Sequence, residues 1–249
     1  MTGESIDSLL ARMRTDLTML EQRRDARRFF HATYLRTTEA VAEEIARGGF
    51  TDPDWVRDWD VAFARRYLDA LDAEENGAPV TGPWRVAFDA AREQPGLPPL
   101  RHVLFGINAH INYDLPQALL DVISPADFDD PRIRRGRETD HRRVDEVLRD
   151  RVGAEDAELG AVSRVTLLDR LLRPANKAAS RRFLAEARAK VWRNTMALDR
   201  ARRAGPAQYT AALAELERRC AKRVRDLTAP GPVLLNLARR GFGVLLAEA

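Results

Sequence analysis

The chain has 249 residues, 45% of them apolar and 32% charged, and a formal net charge of +3 at pH 7. This composition is typical of a globular protein large enough to bury a substantial core. No apolar run approaches the ~20 residues that span a bilayer, so no membrane partner is expected. The arginines alternate with acids at helical spacing and few aromatic residues lie between them, which disfavours nucleic-acid binding.

The only cysteine, Cys220, leaves no partner for an intrachain disulfide. The first residues form neither a basic stretch nor an apolar one, so no leader peptide is expected. Together these features predict a cytoplasmic protein.

Apolar residues recur at helical spacing along most of the chain, and strand-like alternation is nearly absent, which predicts an all-α fold. Residues 124–136 are rich in Pro, Asp and Arg and are predicted to be irregular. Short connections favour one domain over residues 1–249, a helical bundle of about 9–11 helices. The predicted helices lie around residues 9–20, 27–47, 51–71, 84–92, 98–115, 139–151, 155–172, 175–203, 207–228 and 233–247.

Residues 101–117 are the most informative segment for function. They contain two of the four histidines within a run that is otherwise apolar enough to be buried. Burying a polar side chain without a partner costs roughly 1–3 kcal/mol, so a ligand, a metal or a mutual network must satisfy these groups. The polar residues are His102, Asn108, His110, Asn112 and Asp114.

On a helical wheel, His102, His110 and Asp114 share one face around Gly106, which leaves room for an approaching group. Asn108 and Asn112 fall on a different side. Pro116 predicts either a kink or a helix that ends near Tyr113 and restarts with Asp114 as its N-cap. This helix is expected to carry a polar pocket at the centre of the bundle.

His110 and Asp114 have the spacing of two metal ligands on one helix face. His102 lies about 12 Å along the axis from His110, too far to bind the same ion. A metal site would need further carboxylates from elsewhere in the chain. No cofactor is therefore predicted, and a divalent metal held by His110 and Asp114 is the alternative.

The third helix places Asp60 and Tyr67 on one face, where they would line the pocket. The alternative for Asp60 is an ion pair with Arg66 or another arginine at the surface. Three further residues are given structural roles: His31 in the core, His141 on a solvated helix face and Asp140 at a helix N-cap.

The chain resembles the bacterial domain-of-unknown-function family 5995. The resemblance rests on the long motif from Pro99 to Leu115 and, more weakly, on residues 59–68 and 140–148. It extends over residues 50–150, and the arginine-rich C-terminal helices match in general character only. It implies a compact helical protein and supplies no reaction.

These features predict a small-molecule enzyme that uses general acid–base chemistry, such as a cyclase, lyase or hydrolase of secondary metabolism. The alternatives are a metal-dependent hydrolase or oxygenase, and a non-catalytic ligand-binding or scaffold protein. The expected partner is a small-molecule substrate, and a homodimer is possible. The predicted catalytic residues are His110, Asp114 and His102, and the predicted substrate-binding residues are Asn108, Asn112, Asp60, Tyr67 and Tyr113.

Overall fold

Helix starts in this protein coincide with capping side chains and prolines, as a computed structural model shows. The model describes residues 5–162, 186, 188–229 and 243–246, and within them every regular element is helical. No helix in these ranges is long and apolar enough to cross a membrane. The helices are α1 (Ile6–Gln22), α2 (Arg28–Ala46), α3 (Pro53–Glu75), α4 (Gly82–Glu93), α5 (Pro99–Ala109), α6 (Leu115–Val122), α7 (Pro125–Asp129), α8 (Pro131–Val162), α9 (residues 188–204) and α10 (Pro206–Thr228).

The start of α3 is capped twice. The Asp52 carboxylate accepts a hydrogen bond from the Trp55 N–H at 3.0 Å. The Asp140 carboxylate, from α8, accepts the N–H groups of Thr51 and Asp52 at 2.8 and 2.9 Å. The prediction that Asp140 caps its own helix is therefore wrong, because its side chain supports a helix start 88 residues earlier in the chain.

The prediction of an irregular segment over residues 124–136 is also wrong. Pro125 and Pro131 stand in the first turns of α7 and α8, where the absence of a proline N–H does no harm. Helix α8 continues to Val162, where two helices were expected. Residues 243–246, predicted to be helical, have no regular structure. The remaining predictions over 163–185 and 230–242 lie outside the described residues.

Helices α5 and α6 form one nearly continuous rod that contacts α2, α3, α4 and α10. A single π-helical turn over His110–Asp114 joins them, with the Leu115 N–H bonded to the His110 carbonyl five residues back. Pro116 has no N–H for the Asn112 carbonyl, and the wider turn carries the helix past it. The Asp114 side chain makes no capping bond, so the alternative of an Asp114 N-cap is not what the structure shows.

Candidate functional site

A chain of three buried side chains lies at the π-helical turn. His110 and Asp114 are 2% and 3% exposed, and His110 Nδ1 lies 2.8 Å from Asp114 Oδ2. The indole N–H of Trp84, from α4, donates to the same carboxylate oxygen at 2.7 Å. Because an indole N–H can only donate, Asp114 Oδ2 accepts this hydrogen bond. The same oxygen accepts a hydrogen bond from His110 Nδ1–H, which fixes the orientation of the imidazole ring.

Aromatic side chains enclose the His110 imidazole. Phe63 stacks on it with ring centroids 3.6 Å apart and planes 4° from parallel. Tyr34 meets it edge-on at 4.4 Å. Phe30, Tyr67 and Trp84 complete the enclosure at centroid distances of 5.8–6.0 Å. An imidazole in such surroundings is desolvated and fixed in orientation.

The second ring nitrogen, His110 Nε2, is buried and has no hydrogen-bond partner among the described residues. Burial lowers the pKa of His110 below its usual value, although the hydrogen bond to Asp114 opposes the shift. The ring is therefore neutral at pH 7, and with Nδ1 protonated its Nε2 lone pair is available to accept a proton. This is the geometry of a general base oriented by a carboxylate.

Two further buried oxygens have no hydrogen-bond partner in the described structure: the hydroxyl of Tyr34, whose ring contacts that of His110, and Asp60 Oδ2. Burial raises the pKa of Asp60 to about 7. Burial and the nearby Asp60 and Asp114 charges raise the pKa of Tyr34. Arg66 pairs with Asp121 at 2.6 Å and with Gln117 at 3.2 Å, so the alternative Asp60–Arg66 ion pair does not form.

Asn108 and Asn112 lie away from His110 and form a hydrogen-bonded ladder. Asn108 Nδ2 donates to the Leu104 carbonyl at 2.8 Å, and Asn112 Nδ2 donates to Asn108 Oδ1 at 3.2 Å. Asn112 Oδ1 accepts the backbone N–H of Val244 at 3.2 Å. In this structure the two amides tether the C-terminal segment to the central rod.

His102 lies eight residues before His110 on the same rod, and no hydrogen bond or ring contact joins the two side chains among the described residues. The space beside Gly106 is filled by Phe30, whose Cγ would be 2.2 Å from an added Cβ. Both ring nitrogens of His102 are buried without a partner among the described residues. The ring lines a cavity of about 20 Å³ together with Phe30, Tyr67 and Gly106, a volume that fits one water molecule.

The comparisons with known proteins place the chain in a family. The family of unknown function DUF5995 matches residues 6–230. The chain belongs to DUF5995. No curated protein and no solved structure matches it.

The two predicted tyrosines have different surroundings in this DUF5995 chain. The Tyr67 hydroxyl lies 2.9 Å from His31 Nδ1, and His31 Nε2 lies 2.8 Å from the Met13 carbonyl. Since that carbonyl only accepts, Nε2 carries the proton and Tyr67 donates to Nδ1, which agrees with a core role for His31. Tyr113 is buried near Glu217, and burial raises its pKa, but it lies on the α10 side of the rod.

His141 is buried between Trp59 and Trp192, with ring centroids 5.6 Å from each. The expectation of a solvated His141 is therefore wrong. The adjacent Arg142 and Arg143 side chains are exposed, whereas the buried Arg188 guanidinium donates to the His141 carbonyl at 2.7 Å. Burial holds the pKa of His141 well below its usual value.

In the part of the chain that the structure describes, no three side chains of His, Cys, Asp or Glu are placed to hold a metal ion. The metal alternative thus finds no third ligand there beside His110 and Asp114.

Sequence reasoning missed Trp84, Tyr34 and Phe63 as parts of the site. Their only signal is the concentration of aromatic residues in α2, α3 and the start of α4 of a chain that is only 7% aromatic.

Proposed function

We propose that this DUF5995 protein is a small-molecule enzyme that catalyses proton transfer, with His110 as the general base. The observation that carries the proposal is the Trp84–Asp114–His110 chain, which orients the imidazole and leaves Nε2 buried and unpartnered. A buried acceptor without a partner destabilises a fold by about 1–3 kcal/mol. A group of this kind is retained where a ligand supplies the missing partner.

Asp60 supplies the complementary acid. Its raised pKa keeps a proton on the carboxyl group up to about pH 7, whereas the lowered pKa of His110 keeps that ring free of one. A protonated acid and an unprotonated base in one interior can remove a proton from a substrate and deliver another. Tyr34, whose ring packs edge-on against that of His110, would hydrogen-bond the substrate.

The surroundings favour a lyase or cyclase over a hydrolase. Aromatic faces such as Phe63 stabilise positive charge that develops on a substrate or on the imidazole. Few polar groups are available to hold an attacking water. We place the protein in the cytoplasm, which the lone, buried Cys220 supports.

The second candidate is a non-catalytic binding or scaffold protein. The observation in its favour is the nearly complete burial of the His110–Asp114 pair, which does not line the small cavity of about 20 Å³ at His102. In that case the Trp84–Asp114–His110 network fixes helix packing and catalyses no reaction.

The test compares wild type with His110→Asn. The asparagine Nδ2 can replace Nδ1 as donor to Asp114, while Nε2 is lost. Each protein is incubated in D₂O with a bacterial metabolite extract, and mass spectrometry follows consumed species and products that gain deuterium. We expect turnover with wild type, none with H110N, and turnover with the control His141→Asn, which alters another buried histidine.

Circular dichroism verifies that each variant is folded. Equal turnover by folded H110N, or no metabolite changed by wild type, would refute the enzymatic proposal and favour the second candidate.

A further inference from the structure

A pocket of about 300 Å³ opens at the surface where the α1–α2 connection meets the end of α4. It shares one wall, formed by Ala26, Arg27, Phe88 and Ala91, with the small cavity that His102 lines. The arginine-lined pocket therefore lies against the aromatic interior, with these side chains between the two spaces. A volume of this size suits a small ligand.

The arginine at the mouth stands where a glycine is expected. Arg24 has φ +54° and ends α1 with Arg24 N–H bonded to Glu21 and Asp25 N–H bonded to Leu20. This is a Schellman turn, whose left-handed residue is usually glycine. The equivalent turns after α2 and α3 have the same two bonds and use Gly48 and Gly77 at that position. The first turn thus keeps a strained arginine at the pocket.

The pocket also offers guanidinium N–H groups that no other described residue uses. Arg24 makes no ion pair within the described residues, and the buried Arg27 Nη1 has no hydrogen-bond partner there. The other arginines are paired with acids: Arg23 with Glu75, Arg27 with Asp25 and Glu75, and Arg92 with Glu74 and Asp89.

We propose that this pocket binds a small molecule through an oxyanion group, a phosphate or a carboxylate, with Arg24 and Arg27 as donors. The acids balance the charge of the paired arginines, so recognition rests on unused guanidinium N–H groups, which match an oxyanion in geometry. The apolar remainder of the ligand packs on Phe88 and Ala91 and points towards His102. The inference concerns binding alone and does not depend on catalysis by His110.

The experiment titrates the full chain with inorganic phosphate and with phenyl phosphate and follows heat by calorimetry. We expect phenyl phosphate to bind about tenfold more tightly, because its ring is buried on the apolar wall. Arg24→Gly should weaken both ligands by about tenfold and yet melt at or above the wild-type temperature. Arg47→Gly, which removes an exposed charge at the end of α2, should leave both affinities unchanged.

Wild-type affinity in R24G, or an equal loss in R47G, would overturn the proposal, since the arginine would then be unnecessary or the binding nonspecific. Absence of phenyl phosphate binding to wild type would overturn it as well. A lower melting temperature for R24G would show that Arg24 serves the turn and not a ligand. Equal affinities for the two probes would refute the packing of the ligand on the apolar wall.

Discussion

Gly106→Ala tests the contact that sets how closely α5 approaches α2. A Cβ at position 106 would lie 2.2, 2.4 and 2.7 Å from Cγ, Cδ2 and Cδ1 of Phe30. Phe30 is not free to withdraw, because Tyr34 stacks on it at 5.7 Å and Tyr67 and Trp84 enclose it at 5.0 and 5.5 Å. The shortest of these contacts involves Cγ, the ring carbon bonded to the Phe30 Cβ, which moves little when the ring rotates. Only movement of a helix therefore relieves the clash.

The expected loss follows from two opposing effects. Overpacking a core costs ~1–3 kcal/mol, and three short contacts against an enclosed ring place this substitution at the upper end. Alanine in place of glycine in a helix offsets about 1 kcal/mol. The net loss of unfolding free energy is about 2 kcal/mol, or a fall of about 4–8 °C in melting temperature.

The assay is urea unfolding followed by tryptophan fluorescence and circular dichroism. The matched control is Gly136→Ala in α8, where an added Cβ meets nothing within 4 Å, and which should stabilise the protein by up to about 1 kcal/mol. Adding Phe30→Leu to G106A should recover part of the loss, since the ring causes the clash. A G106A protein as stable as wild type would refute the packing argument.

Two other substitutions test the electrostatics of the interior. The folded pKa of Asp60 is raised to about 7 from an ordinary 3.8, so ionising it opposes folding as pH rises from about 4 to 7. The stability of Asp60→Asn relative to wild type should therefore increase across that window, and the variant should be more stable by about 1 kcal/mol or more at pH 8. Urea unfolding of both proteins at pH 5 and pH 8 measures the difference in unfolding free energy. A difference that does not change with pH would contradict the prediction. Trp84→Phe removes the donor to Asp114 and should cost about 1–3 kcal/mol. The control is Trp59→Phe, whose indole N–H has no partner among the described residues; equal losses in the two variants would show that only packing matters.

Helix starts and ends could be predicted from the sequence where local signals determine them. The predicted start at Thr51–Pro53 and the predicted ends near residues 47 and 228 lie within two residues of those observed. Prediction failed over residues 124–136, where no apolar periodicity accompanies the prolines. Pro125 and Pro131 begin helices, although the composition around them is that of a loop.

The site was predicted in part because one of its contacts is local. His110 and Asp114 are four residues apart, so helical spacing alone brings them together. Trp84 reaches the same carboxylate from 30 residues away, and no spacing rule gives that distance. Asp60 and Tyr34 likewise come from two other helices. The π-helical turn was not predicted either, since Pro116 is equally compatible with a kink or a break.

The requirement that buried polar groups have partners separates the polar residues of the central rod by role. Asn108 and Asn112 satisfy one another, the backbone and the C-terminal segment, and their presence needs no ligand. Asp114 is satisfied by Trp84 and His110. His102 remains unpartnered among the described residues, at its own small cavity. The other remainder is His110 Nε2, in an interior that also leaves Asp60 Oδ2 and the Tyr34 hydroxyl unpartnered within the described residues. Three such atoms would together oppose folding by several kcal/mol, about 1–3 each, which apolar residues of the same shape would avoid. These unpartnered atoms, with the Tyr34 ring packed against that of His110, are the physical reason to look for a ligand at this site.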